Sequence, residues 1–277
     1  MLLEKKKTVR ARWFKADLDS FHEIIRFIEE KTPTLAQISD FLNVGQPKAR
    51  SLVEYLIMFG VIKLNKARYC LSELYNDIKN ILSTEELLEV MYFCFIQNYD
   101  LMFWIINDYC SNLISRGIFE TNADEIKRDV KYFKEKYNSN VNETNIKAQI
   151  NRELKLIVNM GNSYNYPLSS LNILEERDNV IFVNRYNKIS IKSMSILFFI
   201  SWKRYFNGIT NIKTSEIINN SNFPFCTFFV KDNKAAEILV ALERLNIIKI
   251  ISIADVKHIT LNPNITIKDI INKIGEY

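Results

Sequence analysis

The sequence predicts a mainly α-helical protein with small β hairpins, built as an N-terminal winged helix-turn-helix, a helical middle region and a C-terminal winged-helix-like module. Three observations predict it. The first 72 residues change their apolar periodicity in the order helix, helix, turn, helix, hairpin. The stretch from 73 to 120 carries aromatic-rich apolar runs, and a helix followed by two β-rich segments recurs near the C-terminus. The predicted segments are 1–72 (basic arm and winged unit), 73–120 (aromatic-rich helices), 121–190 (a helical module ending in a hairpin) and 191–277 (the C-terminal module).

After the basic start "MLLEKKKTVR", the stretch "DLDSFHEIIRFIEEK" places Leu18, Phe21, Ile24, Ile25 and Ile28 at the spacing of an amphipathic helix. "TPTLAQISDFL" offers Thr34 and Gln37 as a capping box for a short second helix, with Leu35, Ile38, Phe41 and Leu42 turned inward. "NVG" supplies turn residues. Pro47 suits the first turn of a third helix, where its missing N–H has no intrahelical acceptor to lose, and Gly60 suits its stop after Phe59. "VIKLNKARYCL" then reads as two short strands around Asn65 and Lys66.

In the middle region Ser83 and Glu86 form a second capping box, and the runs "VMYFCFI" and "LMFWII" read as two buried helices whose aromatics belong to the core. Ile126, Val130, Phe133 and Tyr137 share one helical stripe behind an Asn122 cap, and the opposite face, with Lys127, Arg128, Lys131 and Lys134, reads as solvated. "YPLSSLNILEERDNVIFVNR" predicts a short helix and a hairpin turning near Asp178 and Asn179. The C-terminal module follows as the helix "SMSILFFISWKRYF", a helical piece at "TSEIINN", the helix "NKAAEILVALERL" and the strands "IIKIISI" and "VKHITL". Asn233, Lys234, Glu237, Glu243 and Arg244 form the outer face of that last helix, a mixture suited to protein contact or solvent.

Composition is that of an ordinary globular protein, with 48% hydrophobic and 25% charged residues. Cys70, Cys94, Cys110 and Cys226 are too widely spaced for a CxxC metal pair or a disulfide framework. The start lacks the apolar core of a signal peptide, and Gln97, Asn98 and Asp100 split the longest apolar runs short of a membrane span. A cytoplasmic protein without membrane contact is expected.

The net charge of +5 becomes informative once located, because residues 1–70 carry 13 Lys or Arg against 8 Asp or Glu, and residues 71–277 carry 24 against 24. The whole excess sits in the first quarter. A local basic surface attracts polyanions, which makes duplex DNA the expected partner. On the third helix Ala49, Leu52, Val53, Leu56 and Ile57 form the buried stripe, which leaves Gln46, Lys48, Arg50, Ser51, Glu54 and Tyr55 facing outward. By type, Arg50 can pair with guanine, Gln46 with adenine, and Lys48 and Ser51 with phosphate oxygens. Lys63, Lys66 and Arg68 on the wing extend the positive surface, as do Arg10, Arg12 and Lys15 in the arm. Glu54 opposes it, since a carboxylate on a reading face repels phosphate.

Catalysis is not expected. The glycines form no phosphate-cradling loop, and His22 and His258 lack metal-ligand spacing, so neither a cofactor nor a metal is predicted. "DVK" at 255–257, with Asp232 upstream, has the loose form of a nuclease motif, but "DIK", "EIK" and "ELK" also occur in this Lys-rich chain.

Four segments, "ARWFKADLDSF", "FLNVGQPKARSLVEYLIMFGVI", "IKRDVKYFKEKY" and "YPLSSLNILEERDNVIFVNRYNKISIKSMSILFFISWKRYF", resemble a bacterial family known as domain of unknown function 4007. The family's "GVGKNM"-like turn stands here as "NVGQPK". The resemblance implies a winged-helix-containing protein encoded beside DNA sulfur-modification and phage-defence genes, and it transfers no catalytic residue. The expected function is a DNA-binding accessory or adaptor of such a system, with the C-terminal module holding a partner protein or a second copy of the chain. The competing expectations are a winged-helix transcription regulator, a plasmid replication initiator and a protein-only scaffold.

Overall fold

The computed structural model describes residues 18–160, 167–253 and 256–276, so Arg10, Arg12 and Lys15 of the expected arm lie outside the described residues. It is mainly helical, with three small sheets among the described residues. The first helix, α1 (Leu18–Glu30), buries Phe21, Ile24 and Ile28. In the next, α2 (Leu35–Phe41), the Thr34 hydroxyl accepts from the Gln37 N–H while Gln37 Oε1 accepts from the Thr34 N–H at 2.8 Å. A turn with Asn43 at φ 50° leads to α3 (Gln46–Met58), fixed by a 2.6 Å bond from Ser39 Oγ to the Val44 carbonyl. Phe41 departs from the expected inward position: it is 42% exposed and stacks on Phe27, ring centroids 4.3 Å apart.

Strands β1 (Ile62–Asn65) and β2 (Arg68–Leu71) pair antiparallel. Their link is Lys66 and Ala67, both at positive φ (46° and 66°), the backbone that a two-residue hairpin needs to match strand twist. The turn is thus centred one residue later than expected. The Tyr69 N–H donates to the Pro33 carbonyl at 2.8 Å, which ties β2 to the α1–α2 link.

The middle segment continues through α4 (Glu73–Ile78), α5 (Thr84–Asn98), α6 (Asp100–Phe103), a π-helical turn over Trp104–Cys110 and α7 (Ser111–Ser115). The Ser83–Glu86 capping box starts α5 as predicted. From Tyr92 to Asn107 every residue is buried, so both apolar runs are core.

Beyond β3 (Glu120–Thr121), the predicted amphipathic helix divides at Asp129 into α8 (Ala123–Arg128) and α9 (Val130–Lys136), with Asn122 as N-cap. A longer helix outside the sequence expectations follows, α10 (Glu143–Ile157), leading into β4 (Val158–Asn159). A 3-10 turn at Pro167–Leu171 precedes β5 (Leu174–Arg177) and β6 (Val180–Val183), which turn through Asp178 and Asn179, both at positive φ. These strands form a four-stranded sheet in the order β3-β6-β5-β4.

The C-terminal segment comprises α11 (Ile191–Tyr205), β7 (Ile212–Lys213), α12 (Thr214–Ile218), α13 (Pro224–Thr227), α14 (Asp232–Arg244), β8 (Ile248–Ile253), β9 (Val256–Leu261) and α15 (Ile267–Gly275). Its sheet runs β7-β9-β8. One continuous buried cluster includes Leu52, Phe95, Ile150, Trp202 and Leu242, so all the described segments share a core. Among the described residues no helix is long and apolar enough to cross a membrane.

Gly60 positions the hairpin after α3. Its φ of +75° disfavours any side chain, and a Cβ there would lie 3.0 Å from Cys94 Sγ and 3.3 Å from Cys94 Cβ. Gly208 has φ +86° with nothing within 4 Å of such a Cβ. Gly60→Ala is therefore expected to destabilise the fold by about 2–3 kcal/mol, against about 1 kcal/mol for Gly208→Ala. Urea unfolding of the two variants tests the ranking.

Candidate nucleic-acid interface

The N-terminal turn of α3 is at the surface. Gln46 and Arg50 are exposed and Lys48 is half-buried, while Ala49, Leu52, Val53, Leu56 and Ile57 are buried as the helical spacing requires. On the hairpin Lys66 and Arg68 are exposed. The Arg68 guanidinium donates to the Thr32 carbonyl at 2.9 Å, which holds it against the helical unit. Lys63 forms a 2.7 Å ion pair with Glu73, the cause of its raised pKa, and the same contact holds the Glu73 carboxyl below its ordinary value. The structure thus brings Gln46, Lys48 and Arg50 to one helix end, with Lys63, Lys66 and Arg68 on the hairpin that follows.

The outward reading of the rest of α3 is corrected. Ser51 is 4% exposed, Glu54 9% and Tyr55 0%. The reason is tertiary: α3 is packed on α1 and α2 and also on α5, so the face that would be free in an isolated three-helix unit is covered. Ser51 and Tyr55 cannot touch a nucleic acid from these positions. Burial of Glu54 also takes the opposing carboxylate off the surface, leaving five cations and no exposed acid between Gln46 and Arg68.

Tyr55 has a different task. Its hydroxyl donates to both carboxylate oxygens of Glu153 on α10, at 3.0 and 3.1 Å. Arg152 Nε lies 3.6 Å from the same carboxylate. Burial pushes the Glu153 carboxyl up to about 7, against the lowering effect of Arg152 and of the Tyr55 bond. Burial, with the Glu153 charge next, drives the Tyr55 phenol well above its ordinary range, so it stays a donor. Neither α10 nor Glu153 figures in the sequence expectations. The period of Ile146, Ile150, Leu154 and Ile157 marks the helix, but nothing in the sequence marks a buried glutamate on it.

A second buried carboxylate, Glu89 on α5, accepts from Tyr186 Oη at 3.0 Å and from the Ser190 N–H at 3.3 Å, and burial pushes it up to about 7. Of the residues weighed for chemistry, Cys94 and Cys110 are buried thiols pushed up to about 12, which makes them poor nucleophiles. His22 is exposed on α1 and His258 lies on β9, in different parts of the fold. Asp255 of the "DVK" triplet is outside the described residues. Among the described residues no group of three or more His, Cys, Asp or Glu side chains is placed to hold a metal ion.

No protein-family model and no curated protein matches the chain in sequence. The fold, however, is similar to that of two solved structures. A "Magnesium ion-bound SspB crystal structure" aligns with a TM-score of 0.69 over 95% of this chain and 93% of that one, at 10% identity. An "SspB crystal structure" aligns with a TM-score of 0.66 over 94% and 91%, also at 10% identity. The likeness covers nearly the whole of both chains. It is a likeness of fold.

Because the folded chain holds the Glu153 proton up to about pH 7 and the unfolded chain releases it near 4.5, the unfolded state binds fewer protons between these values. Stability attributable to Glu153 is full below pH 4.5 and is lost as pH rises through about 7. Glu153→Gln keeps an acceptor for Tyr55 and removes that loss. Its stability relative to the native chain is expected to improve by on the order of 3 kcal/mol from pH 4.5 to 8. Chemical unfolding at several pH values checks the sign; a difference that does not change with pH would show that Glu153 does not titrate in this range.

Proposed function

We propose that α1, α2, α3 and the β1–β2 hairpin form a winged helix-turn-helix that binds duplex DNA, in an accessory or adaptor protein of a bacterial DNA-modification or phage-defence system. The observation that carries the DNA contact is the charge arrangement: the outer turn of α3 and the hairpin expose Arg50, Lys66 and Arg68, with Lys48 and Lys63 at their margins and Glu54, the one acid in the sequence between Gln46 and Arg68, buried. The wing geometry is supported by the bond from Tyr69 N to Pro33 O, which adds the α1–α2 link to the hairpin edge. The turn between α2 and α3 is short and held by Ser39, and Gly45 at the N-cap leaves the helix end open to a phosphate.

In this arrangement Gln46 and Arg50 face base edges, and Lys48, Lys66 and Arg68 face phosphates. The tie to modification or defence systems comes from the resemblance to domain of unknown function 4007. The chain from residue 71 onward, whose 24 Lys or Arg are balanced by 24 Asp or Glu and which shares a core with the N-terminal unit, is the part that would meet partner proteins.

The test is duplex binding across a salt series, where several phosphate contacts make log affinity fall with log salt at about 0.9 per contact. Lys48→Glu with Arg50→Glu is expected to weaken binding at least about tenfold and flatten the slope by about 2, with thermal unfolding little changed because Arg50 is exposed and Lys48 only half-buried. Binding that survives this double change would assign the surface to a protein scaffold instead. Conversely, Glu73→Gln releases Lys63 from its 2.7 Å ion pair and is expected to tighten binding severalfold at low salt.

A further inference from the structure

A second basic feature lies away from α3. Beside the four-stranded sheet is an open cleft of about 620 Å³, within the size range of small-ligand sites. Arg185, Lys188 and Lys231 line it, and among the described residues none of the three is ion-paired. Its one carboxylate, Glu175, is held below its ordinary value by Arg177, which it contacts at 2.7 Å. The cleft therefore gathers three uncompensated cations in one place, although the chain from residue 71 onward balances 24 Lys or Arg with 24 Asp or Glu. Like charges sharing a small concave wall raise the local positive potential and concentrate anions there.

The wall is also built to stay in place. The Val183 N–H donates to the Phe119 carbonyl at 2.8 Å, and the Asn184 N–H to the Ile173 carbonyl at 2.8 Å. Tyr186 turns its hydroxyl inward to Glu89, and its N–H donates to the Phe228 carbonyl. Asn187 Oδ1 accepts from the Lys231 N–H at 3.2 Å, which brings the start of α14 to the loop after β6. The backbone that carries the cations is thus bonded on both sides, and only the side chains are free to adapt.

One more feature gives the cleft a chemical preference. Phe119 is 41% exposed at its edge, and the Arg185 guanidinium lies over its ring at 5.6 Å from the centroid. A planar guanidinium on an exposed aromatic ring makes a stacking platform for a flat ring, whereas a site for a simple anion has no use for one.

We propose that this cleft binds a nucleotide, with the phosphate held by Lys188, Lys231 and Arg185 and the base stacked on the Phe119–Arg185 platform. No residue of α3 or the β1–β2 hairpin contributes to it, so it stands independently of the duplex-binding surface. The nucleotide is either free or the phosphorylated end of a strand.

Isothermal titration calorimetry on the full chain tests this with deoxyadenosine monophosphate, deoxyadenosine, inorganic phosphate and a 5′-phosphorylated tetranucleotide. The nucleotide is expected to bind at least about tenfold more tightly than either the nucleoside or phosphate alone. Arg185→Gln with Lys188→Gln is expected to abolish binding, and Phe119→Ala to weaken the nucleotide severalfold while leaving phosphate unchanged. Circular dichroism melts and duplex binding of the same variants should match the native chain. A tetranucleotide that binds tenfold more tightly than the mononucleotide assigns a strand end, and equal affinities assign the free nucleotide. The proposal is overturned by no binding at millimolar nucleotide, by binding indifferent to the double variant, or by phosphate binding as tightly as the nucleotide.

Discussion

The architecture depends on the burial of α5. Its C-terminal half has no solvent face, so each polar group there must find a partner in the protein or leave a desolvated donor or acceptor. Those partners lie on three neighbouring parts of the chain. Asn98 Nδ2 donates to the Met58 carbonyl at 3.1 Å, meeting one of the carbonyls that the end of α3 leaves without an intrahelical donor. Gln97 donates to the Ser221 carbonyl at 3.0 Å and accepts from Tyr205 at 3.2 Å, which fixes the C-terminal segment. Glu89 takes the Ser190 N–H and the Tyr186 hydroxyl, which sets both the start of α11 and the strand of chain that lines the cationic cleft. The apolar burial around these bonds supplies the driving force without direction, and the bonds supply register.

The same constraint places the charges. Glu54, Glu89 and Glu153 are all inside, and the latter two are held near neutrality by burial. Glu89 and Glu153 accept internal hydrogen bonds, from Tyr186 and the Ser190 N–H and from Tyr55. Burial of Glu54 leaves the cations of the outer α3 turn and the hairpin without an exposed acid between Gln46 and Arg68, while Asp19, Glu23, Glu29, Glu30 and Asp40 stay exposed on α1 and α2.

The two basic features differ in kind. The outer turn of α3 and its hairpin expose cations at several separate positions, which is what the proposed contact with a regular polyanion needs. The cleft after β6 is concave, has an aromatic edge, and suits one planar anionic unit. Both are carried by elements tied to α5, α3 through Asn98 and the cleft wall through Glu89 and Tyr186. The two proposed surfaces thus share backbone anchored to the same buried helix.

Local signals in the sequence determined the capped starts of α2 and α5, the stop of α3 at Gly60, the turn at Asp178 and Asn179, and the exposed positions of Gln46 and Arg50. Each depends on a few neighbouring residues, through a cap, a positive φ or the first turn of one helix. Tertiary structure alone decided that Ser51, Glu54 and Tyr55 are inside, because a helical stripe identifies one buried face and says nothing of a second element covering the other. It also decided the Tyr55–Glu153 bond, which joins residues 98 apart, and the meeting of Phe119, Arg185 and Lys231 around one cleft. Chain separation hides such groupings: a cation or carboxylate reads as surface until the fold supplies the neighbour that makes its burial or its company favourable.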